Sequence, residues 1–398
     1  MSRFSEALLS RVVVRGFRSL EKVAVRLGPL TILVGPNASG KSSFLHALAF
    51  MQQAILESPQ IALETQGGLS AILTATGSRP KTLSVEVEVQ SRDPAGFAGS
   101  YFMSFEVRNG RRRFKVREQC TVTLGDQVHH FSVEDGEWKE AFADVKPPLA
   151  PDRLALPLMA GLRPFAWMNA ALTSLTFYDI APEAFYAPQA ALNTGERLAP
   201  RGSNAARVLE RLRSTDSRQR DYQRLMAAMS QIVPSIEAIT PKKKTGRRMT
   251  FEFTERFSGR EVTFSPASMS DGTLYALGIL LAAYQDDMPT LMAFEEPEKA
   301  IHPGAAAVLA DVLQEAALRT QILVTTQSPD LLDHFEDTEV LRAVERIADG
   351  TTVIAPIVQS QREAILRRLF TPGELHRIEG LRPTNSGAGD AIQTDADC

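Results

Sequence analysis

Residues 35–42 read GPNASGKS and satisfy the spacing G-x-x-x-x-G-K-S in full. A glycine-bearing turn of this kind lets successive backbone N–H groups point inward, and a helix that follows it presents its positive end to the same point. The chemistry this suits is capture of a polyphosphate. Gly35, Pro36, Asn37, Ala38, Ser39 and Gly40 would form the cradle, with Lys41, Ser42 and Ser43 opening the helix. Lys41 would reach the β- and γ-phosphates of a nucleoside triphosphate, and the Ser42 hydroxyl would ligate Mg²⁺. A chance match in a glycine-containing turn is the alternative. The flanks weigh against it, because a buried-strand pattern, LTILV, precedes the turn and a helical one, KSSFLHALAFMQQAIL, follows it.

Such a site also needs a strand that ends in a carboxylate. TLMAFEEPE (residues 290–298) supplies one, with four apolar positions followed by Glu295 and Glu296. Side chains alternate along a strand, so only one of two adjacent carboxylates can face the metal in the usual way. Glu295 is expected to hold the Mg²⁺ water shell, and Glu296, at the strand mouth, to polarise the attacking water as general base. A solvated acidic turn is the alternative. A third run, QILVTTQSPDLL (residues 321–332), reads as a buried strand that closes on Gln327. A glutamine amide can donate a hydrogen bond to phosphate, or it can satisfy backbone groups at the strand end.

These residues need elements to bring them together. RVVVRGF, VAVRL and LTILVG read as strands, and the helix after the glycine turn completes the first segment. From Lys81 the texture becomes alternating, as in antiparallel strands with one wet face, and Asn109-Gly110 is a strong hairpin signal. Strand and helix alternate again after about residue 265, which predicts one α/β domain split by a long insertion. The expected division is a core segment over 1–80 and an antiparallel β subdomain over 81–140. An irregular and helical insertion over 141–248, the rest of the core over 249–380 and a polar, disordered tail over 381–398 complete it.

MSDGT (residues 269–273), at a helix start ahead of the acidic strand, resembles the signature motif of ABC-type ATPases. The order of phosphate loop, signature and acidic strand is similar to the RecF/SMC/OLD-like group. The phrases SDGTL, EEPE…HP, TQSPDLL, FRSL and GSNAARVLERL look like those of the stand-alone bacterial AAA family ATPases. The resemblance implies a P-loop NTPase of ABC-ATPase type, a mixed sheet flanked by helices, with ATP and Mg²⁺ as cofactors. It implies a homodimer in which Ser270 and Gly272 of one subunit contact the γ-phosphate held by the other. It places Gln327 where the commoner pattern has a switch histidine, a departure that allows slow hydrolysis, since the amide cannot carry a proton near pH 7. It places Gln66 at the Mg²⁺-contacting Q-loop position, His302 at the interface-crossing D-loop and Arg18 near the nucleotide. A loop glutamine, a helix-start polar residue and a solvated turn arginine are the respective alternatives.

Composition sets the remaining bounds. A net charge of −3 leaves no global field toward nucleic acid or anionic membrane, so any such contact needs a local patch. Two candidates exist: Arg111, Arg112, Arg113 and Lys115, and the group Lys242, Lys243, Lys244, Arg247 and Arg248. Both sit near hairpin turns, and solvated turns are the alternative to DNA-backbone contact. Two cysteines, Cys120 and Cys398, suit a reducing compartment, and the absence of a long apolar stretch argues for a cytoplasmic protein with no membrane contact. Two functions remain open: an ATPase acting in DNA repair or mobile-element defence through head dimerisation, and a nucleotide-gated scaffold for a separately encoded effector such as a nuclease. About 70 residues follow Gln327, fewer than the Toprim nuclease domain that OLD-family proteins append. A transporter subunit is disfavoured, because MSDGT differs from LSGGQ.

Overall fold

The three apolar runs singled out above become three adjacent parallel strands in the computed structural model, which describes residues 7–74, 82–93, 96–107, 114–190, 197–214, 216–257 and 259–384. With strands numbered in chain order, these are β3 (Leu30–Val34), β14 (Leu291–Glu295) and β15 (Gln321–Thr326). The sheet they share has the order β17-β16-β3-β15-β14-β9, completed by β9 (Leu175–Tyr178), β16 (Leu341–Arg346) and β17 (Thr352–Pro356). All pairs are parallel except β16 with β17. The runs are apolar throughout because both faces are covered. Leu33, Ala293 and Leu323 pack to one side, with the helix Lys41–Leu56. Ile32, Val34, Met292, Phe294, Ile322 and Val324 pack to the other, with the helices Asp271–Tyr284 and Ala306–Ala317.

A second, seven-stranded antiparallel sheet closes the first side. Its order is β2 (Leu20–Arg26), β1 (Ala7–Phe17), β4 (Thr82–Ser91), β5 (Phe97–Val107), β6 (Phe114–Leu124), β7 (Gln127–Glu134) and β8 (Glu137–Glu140). A smaller sheet joins β10 (Gln189–Ala190), β11 (Ile236–Lys244), β12 (Arg248–Phe257) and β13 (Arg260–Phe264).

The strands differ from the expected division in three places. Those of 81–140 extend the β1–β2 pair rather than standing apart, through eight paired positions between β1 and β4. The 141–248 segment contributes β9 to the central sheet, and the boundary at 248 falls within the β11–β12 hairpin. Short-range pattern misses the first two because those pairings are non-local. Asn109-Gly110, Arg111, Arg112, Arg113 and the tail beyond residue 384 lie outside the described residues. No helix among the described residues is long and apolar enough to cross a membrane.

Candidate functional site

The parallel strands all point their C-terminal ends at one mouth, where ligands of open α/β sheets bind. A cleft of about 1110 Å³ opens there. Asn37, Ala38, Ser39, Gly40, Lys41, Ser42 and Ser43 line one wall, and Glu295 and Glu296 face them. Gly40 has φ 112, and a Cβ there would collide with the Thr352 side chain, so the loop can pass between β17 and the helix only with glycine. The Lys41 side chain is buried, and its Nζ donates to the carbonyls of Gly35 at 2.7 Å and Pro36 at 2.9 Å. Burial lowers its pKa, while Glu296, Glu295 and Glu298 act in the opposite direction.

The Ser42 hydroxyl donates to Glu295 Oε1 across the cleft, from two elements that are 253 residues apart in sequence. Hydroxyl and carboxylate are the hard oxygen donors that Mg²⁺ prefers, and a pair of protein ligands with water completing the shell is its usual mode. No cluster of three or more His, Cys, Asp or Glu side chains that could cage a metal exists among the described residues. Ser39 Oγ is buried without a hydrogen-bond partner in the loop that would cradle phosphate. The residues present therefore fit a magnesium-bound polyphosphate.

Both carboxylates reach the cleft, which simple strand alternation forbids. The reason is that Glu296 lies one residue past β14 with φ 45, a left-handed conformation rare for a residue with a side chain. Its N–H donates to the Thr325 carbonyl at 2.9 Å, which holds the turn in place. Left-handed residues cluster at functional sites, and this one aims a second carboxylate into the same space.

Other candidates are distributed differently. Gln327 follows β15 at the mouth but is not among the cleft-lining residues. A histidine does stand nearby: His376, on the helix Pro372–Ile378, has its pKa lowered by burial and then by the Lys41 charge, with a hydrogen bond to the Gln327 backbone opposing. Gln66 gives its carbonyl oxygen to Arg18 Nη2 at 2.7 Å instead of turning it to open space. Arg18 does line the cleft. His302 caps the short turn Pro303–Ala305, its Nδ1 accepting from Gly304 N at 3.0 Å, which matches the helix-start alternative.

Ser270 is the N-cap of the helix Asp271–Tyr284, accepting from Thr273 N at 3.1 Å. Gly272 backs so closely onto the Ala300 carbonyl that a Cβ would clash, and neither residue lines the cleft of its own chain. Lys115 pairs with Glu134, Lys242 with Glu252 at 3.3 Å and Lys243 with Glu210 at 3.6 Å. Lys244, Arg247 and Arg248 are exposed at the tip of the β11–β12 hairpin, without an ion pair among the described residues.

Sequence reasoning missed Asp179, Tyr275 and His46, all of which line the cleft. Asp179 follows β9, and since Tyr178 pairs with Phe294 it lies beside Glu295 in register. The signal was present, because LTFYD repeats the apolar-then-acid pattern of LMAFE, but its strand lies within an alanine- and proline-rich stretch.

Known proteins match this arrangement. An SMC head domain from Pyrococcus furiosus, solved with an extended coiled coil and bound to the C-terminal domain of ScpA, superposes with a TM-score of 0.54 over 91% of this chain and 99% of that one, at 12% identity. An SMC head bound to the C-terminal winged-helix domain of ScpA gives 0.53 over 89% and 99%, also at 12% identity. A segment of 41 residues is 49% identical to the OLD nuclease of Thermus scotoductus, covering 10% of this chain and only 8% of that protein. An AAA ATPase domain description matches residues 8–86. The AAA domain description that also names the AbiEii toxin and type IV toxin–antitoxin systems matches residues 131–333, more than half the chain. The chain belongs to that AAA domain family, and its α/β fold is shared with SMC heads.

Proposed function

We propose that this chain binds ATP with Mg²⁺ in the cleft, hydrolyses it, and closes head to head on a second copy while ATP is bound, in a DNA-associated task such as repair or mobile-element defence. The observation that supports this reading is the convergence of Lys41, Ser42, Glu295 and Glu296 on one cleft from the phosphate loop and β14. Lys41 directs its ammonium at the phosphates. Ser42 and Glu295 would hold the metal, which when bound offsets the charge gathering on the transferred phosphoryl group. Glu296 takes a proton from the attacking water as the water oxygen bonds to the γ-phosphorus and the bond to the ADP oxygen breaks. Ser270 and the first turn of its helix lie outside their own cleft, which supports a contact with nucleotide held by the other copy. The exposed cations Lys244, Arg247 and Arg248 are the surface best placed for a DNA backbone.

A second reading, the nucleotide-gated scaffold for a separate effector, is favoured by one observation. Gln327 stands outside the cleft lining and cannot take a proton, so slow turnover fits this chain. Turnover measured with and without DNA separates the two, together with ATP affinity of Lys41→Ala. Strong stimulation by DNA supports the motor; negligible turnover with retained ATP binding supports the gate. Unchanged ATP affinity in a folded Lys41→Ala variant removes the basis of both.

A further inference from the structure

β17 forms one edge of the central sheet, and its first residue, Thr352, sits where three segments distant in sequence meet. Its side chain is buried. Its backbone N–H donates to the Ser19 carbonyl at 2.8 Å, in the turn between β1 and β2. Its Oγ1 lies 2.8 Å from the Ser39 carbonyl of the phosphate loop and 2.8 Å from Ser19 Oγ. A hydroxyl carries one proton and a carbonyl can only accept, so the Thr352 proton goes to Ser39. The bond between the two hydroxyls then runs from Ser19 to Thr352. The result is a relay from Ser19 through Thr352 to Ser39, which fastens the loop to a strand 313 residues away.

The last bond has a directional consequence. The Ser39 carbonyl shares a planar peptide with the Gly40 N–H, and in a trans peptide the two point in opposite directions. Thr352 holds the carbonyl toward β17 and so turns the Gly40 N–H away from it. The cleft opens on that far side, because Ser39 and Gly40 line it and Thr352 does not. The Gly40 N–H has no backbone acceptor among the described residues, which leaves it for a ligand. The approach is close: a Cβ on Gly40 would lie 2.3 Å from Thr352 Oγ1. We infer that Thr352 and Ser19 are positioning residues of the phosphate cradle, which hold the Ser39 carbonyl and thereby aim the Gly40 N–H at a phosphate oxygen of the nucleotide. The inference rests on reading the cleft as the ATP site. It gives the Thr352 side chain a task that its strand does not require, since the β16–β17 ladder is made by the backbone.

The test measures the Kd of a fluorescent ATP analogue with Mg²⁺, and the melting temperature, for the full chain and its variants. Thr352→Val keeps the branched Cβ and nearly the same volume, and removes the proton donor. Its Kd should rise about ten-fold or more, the range for a lost bond to a charged group. Thr352→Ser keeps the donor and loses a buried methyl group, so it should lower the melting temperature and leave Kd close to that of the unmodified chain. A merely structural role would make affinity follow stability in both variants. Ser19→Ala should raise Kd about two- to ten-fold, because Thr352 keeps its own proton but loses the group that orients it. Combined with Thr352→Val, the Ser19→Ala effect should not add, since Ser19 acts through Thr352. Unchanged Kd in Thr352→Val, or an equal loss in Thr352→Ser, overturns the inference; with binding still abolished by Lys41→Ala, the ATP site stands. Additive effects overturn the role of Ser19. Where Thr352→Val does not fold, Ser19→Ala decides, and unchanged affinity there overturns the relay. Binding that survives Lys41→Ala overturns the site itself.

Discussion

Replacing Glu296 by glutamine should separate ATP binding from hydrolysis. The amide has the size of the carboxylate, and the bonds that hold this turn are made by the backbone, Glu296 N–H to the Thr325 carbonyl and Lys299 N–H to the Glu296 carbonyl, so the left-handed geometry should persist. What is lost is the ability to take a proton from water. General-base contributions are on the order of a hundred- to ten-thousand-fold, or ~3 to ~5 kcal/mol in activation free energy. Affinity for ATP should hold or tighten. The substitution removes a negative charge facing the phosphates, although Glu296 is also the foremost group raising the Lys41 pKa. Lys41, Ser42 and Glu295 remain to bind the nucleotide, so the unhydrolysed complex should accumulate as a closed homodimer. Phosphate release measures the first effect, and size-exclusion with light scattering, with and without ATP and Mg²⁺, measures the second. Wild-type turnover would refute the general-base role; a monomer with ATP bound would refute two-headed closure.

Gly272→Ala places a methyl group against the Ala300 carbonyl, so it should cost about 1–3 kcal/mol in stability and depress turnover while ATP still binds, as thermal denaturation and nucleotide titration would show. Glu118, fully buried, accepts from Tyr101 Oη and Leu156 N at 2.9 Å each and from Ala155 N, and burial pushes its pKa up to about 7. A carboxyl raised above its unfolded value favours the protonated fold. Its contribution is therefore complete below about pH 4 and is lost as pH rises through about 7, so Glu118→Gln should flatten the fall in melting temperature across that window. Equal slopes in the two proteins would exclude Glu118 as the cause. If Lys244, Arg247 and Arg248 bind DNA, alanines at all three should reduce the slope of log affinity against log salt by about 2 to 3, measured by anisotropy. The same change at Lys242 and Lys243 should do less, because carboxylates already hold them.

Much of the site was legible because its parts are contiguous or bounded by apolar runs. The cradle, the helix from Lys41 and the acid pair at the end of β14 all fall where their local patterns put them. The pairing of Ser42 with Glu295 needed only the assumption that β3 and β14 share a sheet. What sequence could not supply was placement across long separations. Gln66 was assigned by its resemblance to a loop position, and the β1–β2 turn that brings Arg18 to it is 48 residues distant. Asp179 enters through an edge strand of four residues, too short for its period to be recognised inside a Pro- and Ala-rich segment. Alternation along β14 allowed only one of Glu295 and Glu296 to face the metal in the usual way, and it did not supply the left-handed residue directly before Pro297 by which Glu296 also reaches the cleft.

The question raised by a buried strand that ends on glutamine has a structural answer wider than the side chain. After Gln327 the chain enters the short helix Pro329–Leu332, whose end is fastened to the helix Pro372–Ile378: Asp333 accepts from Gly373 N at 2.9 Å and from Arg377 at 3.1 Å, and Asp330 takes the other arm of Arg377. The same helix brings His376 to the Gln327 backbone and within the field of Lys41. On the other side, Thr326 Oγ1 donates to Glu298 at 2.5 Å, three residues after Glu295. The β15 end is thus tied to the acidic turn in front of it and to the C-terminal helix behind it, through backbone and ionic contacts that do not require a histidine at position 327. Lys41 lies within the field of both neighbours: after burial, its charge lowers the His376 pKa, and Glu298 raises that of Lys41 against the effect of burial.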